Sequence, residues 1–82
     1  MTLATVRVRI REFLEPHFGD HDLGDDDDIF RLGYVNSLFA MQLVAFVQQE
    51  FGFQVEPDDL DMANFQSIDA LTRLTEAKLA AL

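Results

Sequence analysis

The chain has 82 residues, of which 49% are hydrophobic, and a formal net charge of −9. A chain this short predicts one domain over residues 1–82 without a separate catalytic lobe, and its acidity excludes a nucleic-acid partner, because phosphate binding needs basic residues. The absence of cysteine excludes disulfides, a thiolate nucleophile and a sulfur ligand for a metal.

The first predicted helix carries one apolar stripe and leads into a long loop. The stripe follows helical spacing and consists of Leu3, Val6, Ile10, Phe13 and Leu14. Pro16 and Gly19 end the helix. Residues 19–36 then form a loop whose apolar anchors are Leu23, Ile29, Phe30 and Leu32. A loop of this length is unusual in so small a domain, and such loops are more often functional than merely connecting.

The second predicted helix runs from about Ser37 to Phe51, ends at Gly52, and has Asn36 or Ser37 as its N-cap. It carries two apolar stripes. The core face is Ala40, Leu43, Val47 and Phe51 with Phe46 beside it, and the second stripe is Leu38, Met41 and Ala45. Because four short helices cannot enclose one of their number, we expect the second stripe to reach solvent in part and to contact a partner. The alternative is a central helix that is buried on every side.

The last part of the chain predicts a short helix and a longer one. Residues Asp58 to Met62 predict one brief helix, with Pro57 in its first turn. The final helix starts after the N-cap Ser67, with Asp69 near the positive end of its dipole and Lys78 near the negative end. Its apolar repeat is Ile68, Leu71, Thr75 and Leu79. The predicted fold is all-α, a small four-helix bundle of three longer helices and one short helix with a long first loop.

Three weaker signals predict neither a metal site nor catalysis. His17 and His21 have i, i+4 spacing, but Gly19 lies between them and no third ligand follows. The acidic run from Asp20 to Asp28 does not fit an EF-hand, because a twelve-residue frame from its start has glycine at position five and arginine at position twelve. Ser37 lacks the flanking glycines of a nucleophile elbow. We therefore expect no metal, no catalytic residue and no enzyme activity.

The apolar residues of the chain do not predict contact with a membrane. The opening Met-Thr-Leu-Ala-Thr lacks the charged region and apolar run of a signal peptide, and no stretch approaches the roughly 18 apolar residues of a membrane span. We expect a cytoplasmic monomer, and the acidic charge predicts partners with basic surfaces.

The residues around Ser37 resemble a known family. The similar segment is Phe30-Arg31-Leu32-Gly33-Tyr34-Val35-Asn36-Ser37-Leu38, continued by Met41-Gln42-Leu43-Val44, Glu50-Phe51-Gly52 and the closing Asn64-Phe65-Gln66-Ser67-Ile68. Over nearly its whole length the chain resembles acyl carrier proteins. The resemblance implies that Ser37 receives 4′-phosphopantetheine covalently from coenzyme A, and that the thiol of this group holds acyl intermediates as thioesters. It also implies partners, namely a phosphopantetheinyl transferase and the acyl-loading, tailoring and acyltransferase or synthase enzymes.

Two alternatives stand beside this interpretation of Ser37. A phosphodiester at a helix N-terminus is stabilised by unpaired backbone N–H groups and by the positive end of the dipole, which suits the carrier. Ser37 as a plain N-cap is the structural alternative. The functional alternative is a non-covalent acidic helical interaction module that never receives a prosthetic group.

The second helix departs from the family pattern in its charge. Asn36 replaces the usual aspartate, and Glu50 is the only acid on this helix. We expect the aspartates of residues 20–28 and 58–61 to steer partners, and a surface beside Ser37 to make the close contact. The residues of this expected partner-binding surface are Asn36, Leu38, Phe39, Met41 and Gln42.

The sequence around Ser37 most resembles small stand-alone carriers that build hydroxymalonyl, methoxymalonyl or glyceryl units for polyketides, which implies a role in polyketide or antibiotic biosynthesis. Burying so polar a load among Phe46, Phe51 and Phe65 would cost roughly 1–3 kcal/mol for each unpaired neutral group. We therefore expect the load to remain exposed.

Overall fold

The computed structural model describes residues 2–18, 22–32 and 36–82. Within these ranges it contains four α-helices, which are α1 (Leu3–Leu14), α2 (Ser37–Phe51), α3 (Met62–Phe65) and α4 (Ile68–Ala80), with short 3₁₀ turns at Glu15–His17 and Pro57–Asp59. The described residues contain no strand. The predicted all-α bundle of three longer helices and one short helix is confirmed.

Local capping sets the ends of the longer helices. Thr2 caps α1 by accepting a hydrogen bond from the Thr5 backbone N–H at 3.2 Å, and Ser67 caps α4 by accepting one from Ala70 at 3.0 Å. Gly52 ends α2 in the left-handed region with φ 75°, a conformation that costs glycine little. The capping residues that predicted the bounds of α2 and the start of α4 therefore act within the helix turn next to them.

One apolar cluster forms the core and draws on every part of the described chain. It holds the predicted stripe of α1 except Leu3, whose side chain lies outside the described set, and Phe13 is only half-buried. The loop anchors Leu23 and Ile29 are buried, while Phe30 and Leu32 pack against the cluster from outside. The first loop is thus fastened to the core, as its apolar residues predicted.

The core face of α2 differs from the prediction by one position. Its buried residues are Phe39, Leu43, Val47 and Phe51, whereas Ala40 is half-buried. Phe39 is buried because its ring stacks on Phe13 across the α1–α2 contact, with the ring centroids 6.0 Å apart. A phenylalanine removes far more apolar surface from water than an alanine does, so the helix turns this row inward.

The predicted single helix from Asp58 to Met62 is wrong. The chain makes a 3₁₀ turn at Pro57–Asp59, leaves the helical conformation, and starts α3 at Met62. Two aspartates explain the break, because Asp59 accepts a hydrogen bond from the Glu56 N–H and Asp61 accepts one from the Ala63 N–H, both at 2.9 Å. Each carboxylate caps a separate turn, which favours two short pieces over one helix.

An arginine–aspartate network ties the first loop to two helices. Arg7 on α1 bridges Asp25 of the loop, at 3.1 Å, and Asp69 of α4, while Arg11 binds Asp25 and the Leu23 carbonyl. The Asp69 N–H donates to the Asp25 carbonyl at 2.9 Å. Asp69 therefore does more than complement the helix dipole, since it joins α4 to α1.

Candidate functional site

Ser37 is the first residue of α2, and its side chain is exposed. The cap of this helix is its neighbour Asn36, whose side-chain oxygen accepts the Phe39 N–H at 2.9 Å. The alternative that Ser37 acts as the N-cap is therefore excluded. Among the described residues the Ser37 hydroxyl has no hydrogen-bond partner, so helix formation does not use it.

The backbone around Ser37 favours a negative charge. Ser37 lies in the first turn of a 15-residue helix, where backbone N–H groups are unpaired and the macrodipole has its positive end. This first turn carries no acidic side chain of its own. An anion attached to Ser37 would therefore be stabilised without competition from a neighbouring carboxylate on α2.

A cleft of about 460 Å³ opens beside Ser37. One wall is the α2 row that starts at Ser37, and the opposite wall is formed by α3 and the residues before it. The residues that line this Ser37 cleft are Phe30, Asn36, Ser37, Ala40, Val44, Leu60, Asp61, Met62 and Phe65. Most of these side chains are apolar, so the cleft can hold a slender organic group that is anchored at Ser37.

The second stripe of α2 reaches solvent. Leu38 and Met41 are 66% and 71% exposed, and Ala45 is exposed as well. The alternative of a helix buried on every side is therefore wrong. Since Met41 lies four residues after Ser37, it projects from the same side of α2 one turn further on.

Phe39 corrects the expected partner-binding surface. Asn36, Leu38, Met41 and Gln42 are exposed, but Phe39 is only 7% exposed. Its ring packs on Phe13 and on His17, whose ring centroid is 4.5 Å away. A side chain held in this stack cannot contact a partner, so Phe39 belongs to the core. Asn36 is exposed but serves as the cap.

The single acidic residue of α2 already forms an ion pair. Glu50 forms an ion pair with Arg9 of α1, which lowers the free negative charge on α2 further than its composition alone does. Asp59 forms an ion pair with Lys78 at 2.8 Å, and the pKa of its carboxyl is lowered by that hydrogen bond and by the Glu56 backbone N–H. Both pairs link helices or turns within the fold.

The structure places Leu60, Asp61 and Met62 in the lining of the Ser37 cleft, whereas the sequence predicted one brief helix there, with aspartates that steer partners from a distance. The signal that marks them is an alternation of aspartates with large apolar residues over 59–62, which helical spacing does not explain. Leu60 and Met62 are among the most exposed large apolar residues of the described chain.

The structure describes only His17 of the histidine pair. His17 is exposed, and its Nδ1 lies 3.0 Å from the Phe13 carbonyl oxygen, while His21, Gly19 and Asp20 lie outside the described residues. Over residues 2–18, 22–32 and 36–82, no cluster of three or more potential ligand side chains occurs. The same ranges contain no helix with the length and apolar character needed to cross a bilayer.

Comparison with known proteins gives one family match. A family model described as a phosphopantetheine attachment site matches residues 4–75, a range that includes Ser37, the Ser37 cleft and most of α4. A search of curated proteins gives no significant match.

Proposed function

Since the chain belongs to the phosphopantetheine-attachment-site family, whose members carry 4′-phosphopantetheine covalently, we propose that Ser37 is the attachment residue of an acyl carrier protein. The observation that carries this proposal is the freedom of the Ser37 hydroxyl. It is exposed at the first position of α2, it is not used for capping, and it opens onto an apolar cleft.

The residues around Ser37 fit such a group. The first turn of α2 would stabilise the phosphate, while Ala40, Val44 and Phe65 line the cleft where a slender arm can rest. When bound, the group supplies a terminal thiol that holds acyl intermediates as thioesters, which a cysteine-free chain cannot do by itself. The chain's own residues position the attachment point and leave the bond changes to partner enzymes.

A finer proposal concerns the acyl group that the carrier would hold. We propose that the acyl group belongs to polyketide or other specialised biosynthesis and is small and polar, of the hydroxymalonyl, methoxymalonyl or glyceryl type. The similarity of the segment around Ser37 to such stand-alone carriers supports this proposal.

Intact mass tests the attachment residue, because the chain has only two serines and they have different roles. After incubation with coenzyme A and a broad phosphopantetheinyl transferase, the wild type should gain one phosphopantetheine, and Ser37→Ala should gain none while keeping its stability. Ser67→Ala is the matched control, because it removes the α4 cap and costs about 1 kcal/mol of stability but leaves Ser37 free to be modified.

Two results would contradict the proposal. Modification of Ser37→Ala would place the group elsewhere. An unmodified wild type, obtained with a transferase that modifies a control carrier, would instead favour the acidic interaction module.

A further inference from the structure

His17 lies against the first turn of α2, the turn that carries Ser37. Its ring centroid is 4.5 Å from that of Phe39 and 5.4 Å from that of Phe13, so the three rings meet between the end of α1 and the start of α2. Aromatic rings attract each other at such distances. We call these three residues the ring cluster. His17 is its exposed member and covers Phe39, which is buried.

Phe39 is the residue that fastens this turn to the core. Among residues 37–40, all of which the structure describes, Phe39 alone is buried, while Ser37 and Leu38 are exposed. The backbone N–H of Phe39 is also the group that the Asn36 side chain caps. The first turn of a helix has unpaired N–H groups and opens readily. A contact that fixes the Phe39 side chain therefore holds the backbone of the turn in place.

Local contacts fix the His17 ring itself. His17 ends the 3₁₀ turn Glu15–His17, and the next residue, Phe18, is buried. The His17 Nδ1 lies 3.0 Å from the carbonyl oxygen of Phe13, a distance at which that oxygen accepts a hydrogen bond. The imidazole is therefore held against Phe39 although it is exposed.

The ring cluster acts on Ser37 through the backbone of α2. Ser37 and Phe39 are two residues apart, so their side chains leave different sides of the helix, and His17 does not line the Ser37 cleft. Resting on the function proposed above, we propose that His17 is a positioning residue for attachment of the prosthetic group. It covers the Phe39 ring, keeps the first turn of α2 closed, and thereby holds Ser37 in place for the transfer.

Amide hydrogen exchange of the unmodified chain tests the ring cluster directly. His17→Ala should speed exchange of the Phe39 N–H at least about threefold relative to amides in the middle of α2, because loss of a ring contact favours local opening. His17→Phe keeps a ring at this position and should restore the wild-type rate within about twofold.

Thr2→Ala is the matched control, because Thr2 caps α1 at the end opposite to the ring cluster. Loss of this cap lowers the stability of the fold but leaves the ring contacts of Phe39 intact. The exchange rate of the Phe39 N–H should therefore keep its wild-type ratio to the rates in the middle of α2.

Transfer kinetics test the consequence for Ser37. The assay uses coenzyme A, a broad phosphopantetheinyl transferase and intact mass, at a temperature at which circular dichroism shows that every variant is folded. His17→Ala should lower kcat/KM at least about threefold, because group transfer depends on the position of the reacting oxygen. His17→Phe and Thr2→Ala should stay within about twofold of the wild type, since the first keeps the ring and the second acts at the other end of α1.

The outcomes separate this inference from the proposed function. Equal exchange of the Phe39 N–H in His17→Ala and Thr2→Ala, or failure of His17→Phe to restore it, would overturn the role of the ring cluster. Normal transfer to His17→Ala despite faster exchange would overturn the positioning of Ser37. A wild type that is not modified would overturn the proposed function and the positioning role with it, whereas the exchange rates would still decide whether His17 holds the turn.

Discussion

At the scale of single residues, Asn36 and Ser37 have different tasks at the start of α2. The Asn36 amide oxygen closes the first turn of α2, and the adjacent hydroxyl is left exposed. An aspartate at position 36, as the family pattern has, would cap in the same way and add a charge. Asn36 therefore makes the capping hydrogen bond but lacks the negative charge that would interact with the helix dipole.

Substitutions at position 36 separate these two parts. Asn36→Ala should lower the free energy of unfolding by about 1 kcal/mol through loss of the cap. Asn36→Asp should raise it by about 0.3–1 kcal/mol, because a carboxylate complements the positive end of the dipole. Urea unfolding followed by circular dichroism measures both. An alanine variant as stable as the wild type would show that the cap contributes nothing.

At the scale of elements, the network around Asp25 holds the first loop against α1 and α4. Its carboxylate accepts from Arg7 and Arg11, and all three side chains are about one-third exposed, so each pair is screened by water. The loop also donates from the Ile29 N–H to the Gln66 carbonyl at 2.7 Å. Polar contacts and buried apolar anchors thus fasten the same loop.

Removing the Asp25 charge tests the polar part of that attachment. Asp25→Asn should lower the free energy of unfolding by about 1 kcal/mol, the sum expected for two partly exposed pairs. Asp26→Asn is the neighbouring control and should have little effect, since Asp26 is exposed. The difference between the two variants should shrink at high salt. Equal stability of the two variants at low salt would contradict the role of the network.

The pair between Asp59 and Lys78 joins the turn before α3 to α4 and makes stability depend on pH. The lowered pKa of Asp59, caused first by Lys78, means that the ionised carboxyl favours the folded state. This contribution is fully present above the unfolded value of about 3.9 and is lost as the pH falls through the lower folded value.

A variant of Lys78 tests this dependence. Lys78→Met should lower Tm at neutral pH. The difference in Tm between the variant and the wild type should become smaller as the pH falls below about 4, because Asp59 becomes protonated. Arg73→Met provides a control, because Arg73 is exposed and has no ion pair among the described residues. A deficit that does not change between neutral and acidic pH would contradict the assigned cause.

The elements also show which features the sequence predicts. The bounds of α2 were predictable because Asn36 and Gly52 act locally at its two ends. The inward position of Phe39 was not, because it depends on the rings of Phe13 in α1 and His17 in the turn after it, which are distant in sequence. The Ser37 cleft could not be predicted for the same reason. Its walls come from α2 and from residues 60–65, and the apolar periodicity of one segment does not show which other segment packs against it.

At the scale of the whole molecule, the Ser37 cleft and the core are neighbouring but different parts of the fold. Phe65 belongs to both, because it is buried in the core cluster and lines the cleft. Phe51 belongs to the core and does not line the cleft, and Phe46 packs beside it with ring centroids 6.0 Å apart. The NMR signals of these rings can therefore show whether an acyl group attached through Ser37 lies in the cleft or in the core.

We expect a small polar load on Ser37 to remain outside the core. NMR of the loaded protein should show shifts at Phe65 and the first turn of α2, with the Phe46 and Phe51 signals nearly unchanged, because burying an unpaired polar group costs roughly 1–3 kcal/mol. The carrier with an unacylated arm is the control. Shifts at Phe51 as large as those at Phe65 would contradict an exposed load.

Because Asn36 completes α2 on its own, the polypeptide reaches its final shape while Ser37 is still bare. With the arm attached at Ser37 as proposed, we expect a newly synthesised molecule to hold its final fold before the attachment, and to return to that fold without refolding when the arm is cleaved. We therefore expect attachment of the proposed arm at Ser37 to leave the helices of the carrier unchanged.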